Sequence, residues 1–236
     1  MGINPEELVV FHNIPKKLED LRAFIRKNHP ISGALYIRKN FKRFNIESYP
    51  EAEIISKIVE AHSRSFGINK LPERWPITLK SGNIQIQLRF LGAILRLADS
   101  MDIAYGRVPI EHFRWKDIAR KEPKQIVHWA YKMLISSCEA NHESWTIDIY
   151  HNASGEWREY LKITEGYAVM RDLISVRKIL KKYLMPFTHV VLQDPNGNIE
   201  ELTDKEYEKI SKKILKHNIQ KNIKKHAKEI VDKICT

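Results

Sequence analysis

The sequence predicts a mainly α-helical protein: a helical bundle, a small antiparallel α+β segment and a C-terminal amphipathic helix. Three observations predict it. Apolar residues recur every three or four positions through most of residues 1–110, the spacing that aligns one face of an α-helix. Period-two alternation, the mark of a strand, is confined to short stretches such as SWTIDIY (144–150) within 111–202. From 203 to 236, Ile210, Ile214, Ile219, Ile223, Ile230 and Ile234 keep roughly helical spacing among lysines. These patterns divide the chain at 110 and 202 into a helical domain, an α+β segment and a basic helix.

Each element has its own signal. PKKLEDLRAFIRKN (15–28) opens with Pro15, whose fixed φ suits a first helical position, and puts Leu18, Leu21 and Ile25 on one face. A second helix is expected from Ile31 to Phe41. A third follows Pro50, where Ile54, Ile58, Ala61 and Ser65 align. GINKLPERWPITLKSGN (67–83) holds two prolines and two glycines and is expected to be loop. In LRFLGAILRLADSMDIAYGRVP (88–109), Leu88, Leu91, Leu95 and Ala98 form an apolar stripe. Beyond the strand at 145–150, HNASGE (151–156) is expected to turn the chain into WREYLKI (157–163) as a partner strand. A helix from about Gly166 to Leu184 follows, with Val169, Leu173, Val176 and Leu180 in register. HVVLQ, DPNGN and IEEL (189–202) read as a second hairpin, with turn residues at its centre.

Composition narrows the class. A chain of 236 residues with 43% apolar and 29% charged residues can bury a proper core. No apolar run approaches the roughly 20 residues that span a bilayer, and MGINPEELVV lacks the basic-then-apolar order of a signal peptide. Cys138 and Cys235 make neither a disulfide framework nor a thiolate zinc site, so a cytoplasmic location is expected. Much of the net charge of +11 sits on the C-terminal helix, as a solvated lysine face or as a surface for nucleic acid or acidic membrane. No Gly-rich phosphate loop and no nucleophile elbow is present, and His112, His128, His142 and His189 share no site-like spacing.

Polar residues on apolar helix faces need a reason to be there. His29, His62 and Asp99 stand out, one on each of three successive helical segments. Two imidazoles and a carboxylate converging inside a bundle would suit Mn²⁺, Fe, Zn²⁺ or, less well, Mg²⁺. Taken singly, a helix histidine is more often a satisfied core or surface residue, and the spacing of the three does not reverse that.

The segment LRFLGAILRLADSMDIAYGRVP closely resembles the last motif of the HD-domain metal-dependent phosphohydrolases, in the variant called HD-CE, whose pattern is an LRLADALD-like helix followed by an arginine. IVEAHSRS is similar to that family's helix with a metal-binding histidine, and RKNHPISGALYI resembles its RxxHxxxSxxYI segment, matching Arg26, His29, Tyr36 and Ile37. The resemblance covers roughly 22–110, and 111–202, with His128 and Trp129, is similar to the α+β segment that often follows. It implies His29, His62 and Asp99 as metal ligands, with Asp99 buried and neutralised by a divalent cation. Arg107 and Arg26 would meet a substrate phosphate. Three roles are open to Asp102: orienting a ligand, pairing with Arg107 or capping the next turn.

The pattern departs from the family in two places. None of the chain's 10 histidines is followed by aspartate, so the His-Asp doublet is absent; His12-Asn13 stands in the matching apolar context, and an amide binds cations less strongly than a carboxylate. Gly33, beside Ser32, occupies the family's usual serine position. Several readings follow. The chain is a truncated HD-type phosphohydrolase for a nucleotide or phosphorylated small molecule, completed by a homodimer mate or an upstream-encoded partner. Or it is a degenerate module binding a nucleotide, a protein or nucleic acid. Or the metal reading is wrong and the helices share ancestry and packing. The first reading engages His29, His62, Asp99 and possibly His12 as ligands, and Asp99, Asp102 and Arg107 as catalytic groups.

Overall fold

The computed structural model describes residues 18–63, 66–79, 82–107, 129 and 132–216, some of them, Arg26 and Arg107 included, by backbone alone. The chain forms two compact units, Met1–Asp99 and Ser100–Thr236.

In the first unit, α1 (Leu18–Asn40) and α2 (Tyr49–Ala61) form a helical hairpin joined through a 3₁₀ turn at Phe41–Phe44. The two helices expected before residue 42 are one. Pro30 lies inside α1 although proline interrupts the backbone ladder at a cost of about 3 kcal/mol. Tertiary burial outweighs this: Pro30 is buried, and the Asn28 amide donates to the Phe24 carbonyl at 2.8 Å just before the interruption. Asn45, in the left-handed region at φ 56, closes the 3₁₀ turn. A capping box starts α2: Ser48 Oγ accepts from the Glu51 N–H at 3.4 Å while Glu51 Oε2 accepts from the Ser48 N–H at 3.3 Å.

The segment expected as loop instead contains a 3₁₀ turn (Ile68–Lys70) and an antiparallel hairpin, β1 (Trp75–Leu79) with β2 (Gly82–Ile86). Its prolines misled the reading. Pro72 precedes the strand, and Pro76 sits exposed in a two-stranded ribbon, where a missing N–H is tolerated. Trp75 opposite Ile86 and Ile77 opposite Ile84 supply the alternation. Ile54, Ala61, Leu71, Ile77 and Leu88 form the core, with Ile58, Phe66, Trp75 and Ile86 packed on it. Helix α3 (Leu88–Met101) runs as predicted, but its buried side is Leu88, Gly92, Ala93, Arg96, Leu97 and Ser100, leaving Leu91 and Ala98 exposed.

The second unit carries a 3₁₀ turn at Tyr105–Arg107, then β3 (Ile135–Asn141), β4 (Thr146–His151), α4 (Glu156–Leu161), a π-helical turn (Lys162–Gly166), α5 (Tyr167–Lys182), β5 (His189–Gln193), β6 (Ile199–Leu202) and α6 (Asp204–Lys216). The sheet order is β3-β4-β5-β6; β4 and β5 are parallel and the other pairs antiparallel. The expected bundle with one small antiparallel segment is therefore wrong. The protein has two sheets, one of them four-stranded and mixed. The error lies in WREYLKI, which is helical: α4 passes through the π turn into α5, and this crossover returns the chain parallel to β4. The partner of β4 is the polar ISSCEAN strand before it. Gly166 sits so near β5 and β6 that a Cβ there would lie 3.6 Å from Leu192 Cδ2 and 3.5 Å from Leu202 Cδ2.

Ile147, Ile149, Leu173, Val190, Leu192 and Leu202 are fully buried between sheet and helices. The start of the basic C-terminal helix belongs to this unit. Tyr207 stacks on Tyr167 with ring centroids 4.7 Å apart, and Arg177 forks onto Asp204 through two hydrogen bonds of 2.9 Å. Residues 217–236, expected to continue it, lie outside the described residues. Among the described residues no helix is long and apolar enough to cross a membrane.

Candidate metal-binding site

The antiparallel register of α1 and α2 decides which side chains meet. Ser56 Oγ reaches the Ala34 carbonyl at 2.9 Å and, within its own helix, the Ala52 carbonyl at 2.6 Å. One position back along α1 and three on along α2, Gly33 faces Val59, where a Cβ would lie 3.5 Å from Val59 Cγ1. Stepping down α1 and up α2 from there brings His29 opposite His62. Their Nε2 atoms are 3.0 Å apart and their rings 5.1 Å apart, tilted by 54°.

His62 caps α2, and its Nδ1 closes onto the Val59 carbonyl. A carbonyl only accepts, so Nδ1 carries a proton, and in the neutral ring Nε2 then keeps a lone pair facing His29. Holding one imidazole nitrogen on a carbonyl while the other faces outward is the usual arrangement of a metal-binding histidine. Two nitrogens each about 2.1 Å from a cation and about 90° apart lie about 3.0 Å from each other. The observed separation fits a cis pair of ligands, and equally one N–H···N hydrogen bond. His29 is exposed and His62 half-buried, so the pair is open to solvent.

The remaining predicted residues do not join it. Asp99, expected to be buried, is exposed, and so is Asp102. Asp99 lies near the end of α3, exposed beside the buried Ser100. Among the described residues no three His, Cys, Asp or Glu side chains gather as a metal set. Arg26 lies in α1 and Arg107 in the 3₁₀ turn after α3, both described by backbone alone; His12 and Asn13 lie outside the described residues, as does His128. The reading from sequence missed Arg96, which is 5% exposed. Its signal was visible, a cation inside AILRLAD on the buried side, but long cationic side chains usually reach out to water and so attract no notice.

Other buried polar groups lie in the second unit. Asp148 accepts from Thr146 Oγ1 at 2.6 Å and Asn141 Nδ2 at 2.9 Å. Burial, reinforced by Asp148, Glu139 and Glu165, pushes the Cys138 thiol up to about 12. His151 is 1% exposed, and its Nδ1 accepts from the Ala153 N–H at 3.2 Å. Burial, then the Arg158 charge, lowers its pKa.

The HD-CE family model matches residues 5–175, well over half of the chain. The chain belongs to the HD-CE family. The match takes in all of the first unit's described elements and continues into α5. No curated protein and no solved structure matches the chain.

Proposed function

We propose that this HD-CE chain binds a divalent cation through His29 and His62, with Asp99 as the third ligand that the resemblance of LRLADSMD to the family's last motif implies, and uses it on a phosphorylated, nucleotide-like small molecule. The observation that carries the reading is the histidine pair, with its 3.0 Å nitrogen separation and the His62 proton held on the Val59 carbonyl. A cation bound there would polarise a phosphoryl oxygen and lower the pKa of a bound water. The chain's own part is to present two imidazole nitrogens, to keep His62 in one tautomer and to leave the pair open to solvent. Arg26 and Arg107 are the candidate partners for substrate phosphate, and Asp102 the candidate orienting group. The metal is Mn²⁺, Fe, Zn²⁺ or, less well matched to imidazole, Mg²⁺.

Elemental analysis of protein purified without chelators tests this, beside His29→Ala, His62→Ala and Asp99→Ala. One metal per chain, lost in both histidine variants, is expected and would be followed by a screen of phosphorylated nucleotides. A wild type that stays metal-free after incubation with Mn²⁺ and Zn²⁺ refutes the reading. A second reading has its own support: no histidine is followed by aspartate, and Asp99 does not join the histidines. On that reading the domain is a silent binding module for a nucleotide, a partner protein or nucleic acid. The polyanion version predicts affinity that falls steeply with salt.

A further inference from the structure

We infer that Arg96 is a positioning residue for His62, acting through the backbone that carries it; the role at the metal rests on the reading of the histidine pair given above, the geometric role does not. His62 stands where α2 ends, and the last carbonyls of a helix have no partner within it. Left to water, such a turn frays, and fraying would carry His62 away from His29. Arg96 prevents this from across the core. Its Nη2 lies 2.6 Å from the Ala61 carbonyl, 2.7 Å from that of Ser63 and 2.8 Å from that of Phe66. The first two acceptors are the residues on either side of His62.

Two turns earlier on α3, Arg89 does the same for the far end of the connection. Its Nε and Nη2 lie 3.0 and 2.7 Å from the Leu71 carbonyl, and Nη2 lies 3.3 Å from that of Asn69. Between them Gly92 lets α3 come close: a Cβ there would sit 2.9 Å from Leu71 Cδ1 and 3.6 Å from Ala61 Cβ. The stretch from Ala61 to Leu71 is thus gripped at both ends by main-chain carbonyls, independently of its own side chains. One amino group of the guanidinium meets all three acceptors, its two N–H bonds shared among them, and the charge complements the negative end of the α2 dipole. A lysine keeps the charge, but its ammonium ends one bond short of the Nη2 position.

The test compares Arg96→Lys with Arg89→Lys, reading the His62 tautomer from side-chain ¹⁵N shifts in metal-free protein and Mn²⁺ affinity by titration. Arg96→Lys is expected to keep its far-UV spectrum, to lose the single Nδ1–H tautomer of His62 and to bind Mn²⁺ about tenfold or more weakly. Arg89→Lys is expected to leave the His62 signals in place. An unchanged tautomer in folded Arg96→Lys overturns the inference, as does an equal disturbance in both variants, which would mean general loosening. If Arg96→Lys does not fold, the wild type decides: Arg96 Nη protons should be protected from exchange, and fast exchange overturns it. A wild type that binds no metal removes the metal reading while the tautomer readout still judges the positioning role.

Discussion

The α1–α2 contact at Ser56 links the stability of the first unit to the geometry of the histidine pair, and graded substitutions separate the two. Ser56 is fully buried, with its hydroxyl bonded across the hairpin to Ala34 and along its own helix to Ala52. Both carbonyls also lie within regular helix and keep their backbone partners when the hydroxyl is removed. Ser56→Ala therefore forfeits a hydrogen bond without orphaning a polar group, a cost of about 1 kcal/mol. Ser56→Leu forces a large side chain between backbones close enough for a side-chain-to-carbonyl bond of 2.9 Å, and overpacking of this kind costs about 1–3 kcal/mol. It also wedges the helices apart about 9 Å along α2 from His62. Urea unfolding followed by circular dichroism should rank wild type, Ala and Leu in that order. Mn²⁺ affinity should be nearly unchanged in Ser56→Ala and about tenfold weaker in Ser56→Leu. A Leu variant as stable as wild type would refute the packing. A destabilised Leu variant with intact metal affinity would refute the dependence of the histidine pair on helix register.

Three further outcomes are expected in the second unit. The folded pKa of His151 lies below its unfolded value, so stability is complete above about pH 6.5 and declines as pH falls from there towards the folded pKa; His151→Asn, which can still accept from the Ala153 N–H, should flatten the melting temperature between pH 7.5 and 5.5. With its pKa near 12, Cys138 should react with iodoacetamide at pH 8 about a hundredfold or more slowly than in the unfolded chain, by peptide mapping that resolves it from Cys235. The Asp194 carboxylate is held below its ordinary pKa by the Asn198 side chain and the Asn198 and Asn196 N–H groups; Asp194→Ala should speed amide exchange at Asn196 and Asn198, and the wild-type turn should loosen only as pH falls through the carboxylate range.

The elements legible in the sequence are those whose pattern is local. Helices α2, α3 and α5 and the β5–β6 hairpin announce themselves through caps, periodicity and turn residues such as Gly197, which sits at φ 80. What failed depended on partners elsewhere in the chain. A strand as polar as ISSCEAN becomes one because β4 lies beside it, and no window of its own residues says so. WREYLKI alternates well enough to pass for a strand. Its Leu161 is buried only because the helix continues, through a π turn, into α5. Proline misled in both directions: Pro30 is absorbed by a helix with tertiary support, and Pro76 by a ribbon with a free edge.

The site shows the same division at the scale of single residues. Their place on apolar helix faces, and then the resemblance, picked out His29 and His62, and the structure sets them face to face because α1 and α2 run side by side as a hairpin. On α3 the apolar stripe was drawn through Leu88, Leu91, Leu95 and Ala98, which put Asp99 in line with burial; Leu88 is buried, but Leu91, Ala98 and Asp99 are exposed. The true buried side is rotated towards Gly92 and Arg96, since a glycine and an arginine are what that contact needs: no Cβ where the backbones approach, and donors where helix-end carbonyls would otherwise be bare. Hydrophobicity counts neither residue as core. A cation on a buried face, spaced to meet the end of the preceding helix, is therefore a signal of a gripped turn, and the residue carried by that turn is where function is to be sought.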